Sequence, residues 1–267
     1  MAAGVSLRRR VRAAARERTG ASSADDGGAV SDGRPARILA RAVVVDLDDI
    51  LFDHRESARR GLARLIHELG GTATAEIIDT AEMTAERLMG RRRAGEIGRA
   101  DYRRLRIRHL LADIDQRLEA GRLEDEQCDL LYERFLEVYE EEWVGFADAV
   151  PMLRGLHDRR IPVAVLTNGP EERQQRKARV LDLEPWALGV WTSERLAAKK
   201  PEASTYLTVC GALGIEPGAV LHIGDNVEHD LHGARAAGLQ ALHLDRGQAF
   251  AESSQRITTL DAVLGML

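Results

Sequence analysis

The sequence predicts an α/β protein with a doubly wound parallel sheet and an inserted all-helical domain. Three observations support this prediction. From Phe146 to the C-terminus, short apolar runs alternate with helical segments, as in strands joined by right-handed crossovers. Between the first apolar run, Ala42 to Val45, and Phe146 the chain shows only helical periodicity. Polar motifs follow three of the apolar runs, and ligands bind at the carboxyl ends of parallel strands.

The N-terminal segment, residues 1–37, is predicted to be a disordered tail. It contains eight arginines, four acidic residues and few large apolar side chains. Such a segment cannot bury enough surface to order itself. Its acidic residues and the lack of an apolar core argue against a targeting signal, so we expect a solvated tail.

The next two segments are the first strand with its turn and the helical domain. Residues 38–52 contain the apolar, β-branched run, which predicts a buried strand. Residues 53–146 repeat apolar residues at helical spacing, and this block is too long for a loop. It is therefore predicted to be a separate domain, with helices at Ala58 to Leu69, Ala75 to Met89, Ala100 to Leu118 and Glu124 to Trp143.

Residues 147–267 complete the sheet domain that begins with residues 38–52. Apolar runs predict its strands, and the amphipathic stretches between them predict helices on both faces of the sheet. The most apolar runs, at 42–45, 163–166 and 220–223, are expected to be central strands. Strands are predicted at 161–167, 188–192, 219–224 and 240–244, and helices at 148–158, 171–182, 202–213, 230–237 and 257–265.

Charge and composition exclude several classes of function. After the tail, the remaining residues carry 30 basic and 39 acidic side chains, a poor match for non-specific nucleic-acid binding. No apolar stretch approaches the roughly 20 residues that span a membrane. Cys128 and Cys210 lie far apart and provide neither a disulfide framework nor a metal-ligand spacing. We expect a cytoplasmic protein without a nucleic-acid or membrane partner, and the sequence leaves its oligomeric state open.

Four short motifs carry the candidate functional residues. An Asp-x-Asp, a Thr-Asn and a Gly-Asp each stand where an apolar strand ends, so the sheet can bring them together. A Lys-Pro precedes the last of them. Since the chain has 35 arginines and only three lysines, this lysine indicates a compact charge suited to phosphate. The motif residues are Asp46, Asp48, Thr167, Asn168, Lys200, Pro201, Gly224 and Asp225.

In order and type these motifs resemble the haloacid dehalogenase-like (HAD) hydrolase superfamily, most closely its phosphatases with a helical cap of the C1 type. Each motif alone is a common turn or helix-cap sequence, and the specificity comes from the ordered set. The resemblance covers about residues 38–267. It implies a Rossmann-like core with a cap at residues 53–146. It also implies Mg²⁺-dependent hydrolysis of a phosphoric monoester of a small metabolite.

The resemblance implies a role for each motif. Asp46 would be the nucleophile that forms an aspartyl-phosphate, and Asp48 the general acid and base, which requires a raised pKa. Thr167 and Asn168 would bind the phosphoryl oxygens. Lys200 would neutralise the nucleophile and the phosphoryl group; Lys199 competes for this role, but the family's lysine directly precedes proline.

The resemblance also implies the metal site. Asp46, Asp225 and the backbone carbonyl of Asp48 would be the Mg²⁺ ligands, an oxygen set that this ion prefers. Asp230 matches the family's second acid, which lies behind the ligands or acts through water. The histidines, including His222, form no ligand spacing and are expected to pack or to face solvent.

Four alternatives to a phosphatase differ in the residues that they require. Dehalogenases lack the second aspartate of the first motif, so Asp48 disfavours them. Phosphonate-cleaving members use a cap lysine, and residues 53–146 contain no lysine. A phosphomutase stays open, as does a non-catalytic protein that binds phosphate-bearing ligands. The binding protein is supported only by Ile50, which stands where the family has Thr or Val. Ala197 and Ala198 replace a frequent glycine and affect the loop more than the chemistry.

Substrate identity depends on the cap, where the sequence is less informative. Nine arginines lie between Arg87 and Arg108. They can form a basic lid over an anionic metabolite. They can also form a solvated helix face that pairs with neighbouring acids, which is the more common arrangement.

Overall fold

The computed structural model describes residues 38–114, 123–250 and 255–267. The predicted tail and the predicted helix end at 115–118 lie outside these ranges. The described chain divides into two compact units. The sheet unit runs to Asp53 and resumes over Gly145–Leu267, and the helical unit is His54–Val144. In the described residues, no helix is long and apolar enough to cross a membrane.

The sheet unit contains six parallel strands in the order β3-β2-β1-β4-β5-β6, which confirms the predicted fold class. In chain order the strands and helices of both units are β1 (Ala42–Val45), α1 (His54–Glu68), α2 (Ala75–Arg93), α3 (Arg99–Ile114), α4 (Asp125–Glu141), α5 (Ala149–Asp158), β2 (Val163–Thr167), α6 (Glu171–Val180), β3 (Val190–Thr192), α7 (Ser193–Leu196), α8 (Ala203–Leu213), β4 (Val220–Gly224), α9 (Gly233–Ala236), β5 (Gln240–Leu244), β6 (Arg256–Ile257) and α10 (Asp261–Met266). A 3₁₀ turn (Pro217–Ala219) precedes β4, and a π-helix (Val227–His232) follows it.

The strand register aligns the carboxyl ends of the three central strands. Val45 of β1 is paired with Val165 of β2 on one side and with Ile223 of β4 on the other. All residues of β1, β2 and β4 are buried, as expected for parallel strands covered on both faces. The polar residues that follow these strands therefore emerge at one edge of the sheet.

Two helix starts differ from the prediction by four residues. Helix α1 begins at His54, four residues before the predicted start. The helix predicted at 257–265 begins only at Asp261, because Arg256 and Ile257 form β6 and pair with β5. The β-branched residues Ile257 to Thr259 favour an extended chain over a helix, and the exposed edge of β5 provides the partner.

The helical unit has an aromatic core. Tyr132, Phe135, Tyr139 and Trp143 follow one another at three- and four-residue spacing along α4 and its end, so they lie on one face. Their ring centroids are 5.9, 6.3 and 6.1 Å apart in sequence order. His54 extends this aromatic face of α4, since its Nδ1 lies 2.7 Å from the Tyr139 hydroxyl.

Several arginines of the Arg87 to Arg108 segment pair with acids of the same unit. Arg104 contacts Asp125 and Asp129, and Arg108 also contacts Asp125. Arg91 lies 3.1 Å from Glu96. Exposed pairs of this kind contribute little to stability. At these positions the side chains form a charged helix surface.

The residues at which the chain leaves the sheet unit and re-enters it are hydrogen-bonded to each other. Phe52 forms an antiparallel bridge with Gly145, and the Phe146 amide donates to the Leu51 carbonyl at 3.0 Å. The chain therefore leaves the sheet unit and returns to it at neighbouring points.

A half-buried ion pair holds three segments of the sheet unit together. Arg246, after β5, contacts both carboxylate oxygens of Asp148 at 2.8 and 2.9 Å and donates to the Ile50 carbonyl. Asp148, which precedes α5, also accepts from the amide of Leu260. Burial by itself would raise the pKa of Asp148, but the bonds from Arg246 and Leu260 lower it. The pair thus links the first motif, α5 and the segment before α10.

We predict that Arg246→Met lowers the free energy of unfolding by about 2–3 kcal/mol at pH 7, since it leaves a buried carboxylate without its cation. Because the pKa of Asp148 is lowered on folding, its ion pair stabilises the protein above the unfolded pKa of about 3.9. The difference should shrink as the pH falls below that value. Denaturant unfolding at pH 7 and pH 3 measures both effects, with the exposed Arg60→Met as control, for which less than about 0.5 kcal/mol is expected. A pH-independent difference would contradict this account.

Candidate active site

The candidate site is built around a buried lysine between two carboxylates. Lys200 Nζ lies 2.6 Å from Asp230 Oδ1 and 2.8 Å from Asp46 Oδ1. The contact with Asp46 is an ion pair without the alignment of a hydrogen bond. The side chains of Lys200 and Asp230 are each 2% exposed. The neighbouring Lys199 is exposed.

A third carboxylate completes a group that is able to hold a cation. One oxygen each of Asp46, Asp225 and Asp230 lies within 4.8 Å of the others. Oxygens that share one Mg²⁺ at about 2.1 Å per bond lie up to about 4.2 Å apart, so small side-chain adjustments suffice. Of the predicted ligands, the structure brings together Asp46 and Asp225. Asp230, expected behind them, offers an oxygen to the same group.

The electrostatics of the three acids differ because their partners differ. Burial raises the pKa of Asp46 to about 7, with the charges of Asp230 and Asp48 adding to the effect and Lys200 opposing it. Partial desolvation likewise raises the pKa of Asp225 to about 6, although this residue keeps much of its surface in solvent. A bound cation would favour the charged form of both groups.

Asp230 is the acid of the group that is held in its charged form. Burial alone would raise its pKa, but His222 and Lys200 outweigh burial and hold the pKa of Asp230 well below its usual range. His222 Nε2 lies 2.8 Å from Asp230 Oδ1, and the amide of Asn226 donates to Oδ2 at 3.1 Å. Asp46 and Asp230 together raise the pKa of Lys200 against the effect of its burial, so the ammonium stays charged.

Close packing at Gly224 fixes the position of Asp230. A Cβ atom at the end of β4 would overlap the carboxylate and Cβ of Asp230. The Gly-Asp motif therefore requires a glycine at this position, because the Asp230 side chain of the following π-helix packs directly against the backbone.

The predicted phosphate-binding residues follow β2 and contact other site residues. Asn168 Nδ2 donates to the Lys200 carbonyl at 2.9 Å, and its Oδ1 accepts from the Lys200 amide at 2.8 Å. The Asn168 side chain thus holds the backbone of Lys200. Thr167 is buried at the end of β2, beside the first motif.

The carboxylate of Asp48 turns toward α6. Its Oδ1 forms an ion pair with Lys177, and its Oδ2 accepts from Gln174 Nε2 at 2.8 Å. Its side chain is not one of the three that form the carboxylate group. Sequence reasoning missed both α6 residues. The scarcity of lysine singled out Lys200, and the same argument applied to Lys177 would have identified it.

Comparisons with known proteins identify the family of this chain. The model of the haloacid dehalogenase-like hydrolase family matches residues 40–238. The chain belongs to the haloacid dehalogenase-like hydrolases. An enolase-phosphatase E1 from Sorangium cellulosum is 31% identical to this HAD-like hydrolase over 226 residues, covering 79% of the chain and 90% of the relative. A glyceraldehyde 3-phosphate phosphatase from Methanopyrus kandleri is 24% identical, covering 79% and 86%. The HAD-like hydrolase is thus an enzyme of the phosphatase kind.

A solved structure shares the fold of this HAD-like phosphatase. The HAD hydrolase YfnB from Bacillus subtilis, bound to magnesium, has a TM-score of 0.65 with 20% identity. The match covers 85% of this chain and 98% of YfnB.

We predict that Mg²⁺ raises the melting temperature of the metal-free phosphatase by roughly 5 °C at saturation, because a cation held by the three carboxylates would stabilise only the folded protein. Asp225→Asn should remove most of this shift, since it takes one charged oxygen from the group. Asp158→Asn, at an exposed position, is the matched control and should keep it. A Mg²⁺ shift equal in all three proteins would contradict the assignment of Asp225. Thermal melting with and without Mg²⁺ measures the shift in melting temperature of each protein.

We also predict different outcomes for the adjacent lysines. Lys200→Met leaves two buried carboxylates without their cation and should lower the free energy of unfolding by about 3 kcal/mol or more. Lys199→Met should change it by less than about 0.5 kcal/mol, because this side chain is exposed. Denaturant unfolding of both variants at neutral pH checks the contrast. Equal losses in the two variants would show that Lys200 does not hold the carboxylates together.

Proposed function

We propose that this enzyme is a Mg²⁺-dependent phosphoric monoester hydrolase that works through an aspartyl-phosphate on Asp46. The observation that carries the proposal is the position of Asp46. It lies 2.8 Å from the Lys200 ammonium and within 4.8 Å of the oxygens of Asp225 and Asp230. A carboxylate nucleophile needs such positive charge nearby to approach an anionic phosphoryl group.

The residues present fit Mg²⁺. The group consists of three carboxylates, which are hard oxygen ligands, and the buried Asp46 Oδ1 accepts no aligned hydrogen bond. Asp46 and Asp225 would hold the ion, with the Asp48 carbonyl as the expected third protein ligand and Asp230 beside them. When bound, the ion would neutralise charge on the phosphoryl oxygens and on the carboxylates.

The side chains divide the reaction into two displacements. An Asp46 oxygen forms a bond to phosphorus while the bond to the substrate's leaving oxygen breaks, and Asp48, which enters this step protonated, gives that oxygen its proton. Asp48 then takes a proton from a water molecule, which attacks the phosphorus of the aspartyl-phosphate and releases phosphate and Asp46. The Thr167 hydroxyl and the backbone N–H of Asn168 hold phosphoryl oxygens, and Lys200 balances their charge.

A small phosphorylated metabolite is the substrate class that we propose. The named relatives support it, since one acts on glyceraldehyde 3-phosphate. A cytoplasmic setting is supported by Cys128 and Cys210, which are both free and buried. The reading as a binding protein loses its support, because the Ile50 side chain is fully buried in the core and serves packing.

We predict that the wild-type enzyme hydrolyses p-nitrophenyl phosphate in the presence of Mg²⁺, and that Asp46→Asn lowers kcat by about 10³-fold or more because it removes the nucleophile. Chelation of the metal should have a comparable effect. Release of inorganic phosphate across a panel of phosphorylated metabolites then ranks the substrates. Binding of phosphate esters without turnover by the wild type would favour a binding protein instead.

A further inference from the structure

We propose that Lys177 and Gln174 are positioning residues that hold the carboxylate of Asp48 for proton transfer to the leaving group. This inference rests on the proposed phosphatase function and adds two residues to its site. Lys177 Nζ contacts Asp48 Oδ1, and Gln174 Nε2 lies 2.8 Å from Asp48 Oδ2. Both carboxylate oxygens are thus held from one face of α6.

The two residues are matched to this task by their spacing and burial. They lie three positions apart on α6, so their side chains leave the same face of the helix. Gln174 is 2% exposed and Lys177 is 4% exposed. The rest of α6 is rich in charged and amide side chains. A buried amide and a buried ammonium therefore stand out in a helix whose other buried residue is Ala178.

Gln174 also connects the acid to the phosphoryl-binding residue. Its Nε2 donates to Thr167 Oγ1 at 2.7 Å as well as to Asp48. Because the Thr167 oxygen accepts this bond, its own hydrogen is left to donate to a phosphoryl oxygen. One amide group thereby fixes the separation between the proton donor and the phosphoryl group.

Gly169 provides the space that this arrangement needs. A Cβ atom at Gly169 would come within 2.7 Å of Gln174 Nε2. The glycine after Thr167-Asn168 thus lets the Gln174 side chain fold back over the end of β2.

The burial of Lys177 is costly, which argues for a role beyond packing. Burial lowers its pKa, and Asp48 only partly offsets the effect. The ring of Phe52, 4.0 Å from Nζ, adds a cation–π contact. A methionine of similar length would fill the space without this cost. What methionine cannot do is hold the Asp48 carboxylate.

Proton donation makes a specific prediction about leaving groups. A phenolate leaves less readily than p-nitrophenolate and depends more on a proton from Asp48. Misplacing Asp48 should therefore slow cleavage of phenyl phosphate more than cleavage of p-nitrophenyl phosphate, although the two esters have similar shapes. A residue that only stabilises the fold would affect both alike.

The test compares kcat/KM for both esters in wild type, Lys177→Met, Gln174→Leu and Asp48→Asn, with saturating Mg²⁺. For Lys177→Met we expect a loss at least about tenfold larger with phenyl phosphate than with p-nitrophenyl phosphate. Gln174→Leu should also lose more activity with phenyl phosphate than with p-nitrophenyl phosphate. Asp48→Asn should show the largest ratio between the two losses. Adding Lys177→Met to Asp48→Asn should cause little further loss, because both act on one proton transfer.

Gln175→Leu is the matched control on α6. Gln175 bonds to Glu171 and Val190 outside the site, so the ratio between the two esters should stay at the wild-type value. Equal losses on both esters in Lys177→Met and Gln174→Leu, or no loss, would overturn the inference while leaving the phosphatase intact. If Lys177→Met folds poorly, Gln174→Leu decides alone. If wild type cleaves neither ester, the proposed function fails and the inference fails with it.

Discussion

The site depends on one buried ammonium group. Two carboxylates at the distances of Asp46 and Asp230 repel each other strongly when water is excluded, and the Lys200 charge between them makes the arrangement stable. The neighbouring contacts keep this ammonium in position. Asn168 holds the Lys200 backbone, and His222 bonds to Asp230. Residues near the ends of three strands thus surround a single lysine, Lys200.

Much of the sheet could be predicted from the sequence because its central strands are simple apolar runs. β1, β2 and β4 are buried on both faces, so they appear in the sequence as short continuous apolar runs, and motif residues mark their ends. β6 could not be predicted. It has only two residues, and it is a strand because the edge of β5 offers hydrogen bonds to it.

The parallel topology is enough to predict that the motif residues meet at one edge of the sheet. It does not predict which of the acids at that edge are charged. Asp46 and Asp230 have the same side chain, yet burial raises the pKa of one and the bonds to the other lower it. That difference depends on His222, which gave no signal in the sequence. The sequence gives no sign of Gln174 for a related reason, whereas the scarcity of lysine marks Lys177. Helix α6 is strongly polar, and its sequence shows no apolar face that would indicate which residues are buried.

The adjacent crossings at Phe52 and Gly145 have a consequence for the evolution of this architecture. Since Phe52 and Gly145 form a bridge within the sheet unit, the helical unit His54–Val144, 91 residues long, begins and ends beside points that are already joined. The ends of this insert are therefore fixed by the sheet unit itself, and its length can vary between them. The strand ends that carry the carboxylate group and the inserted helical unit can thus diversify in sequence independently of each other.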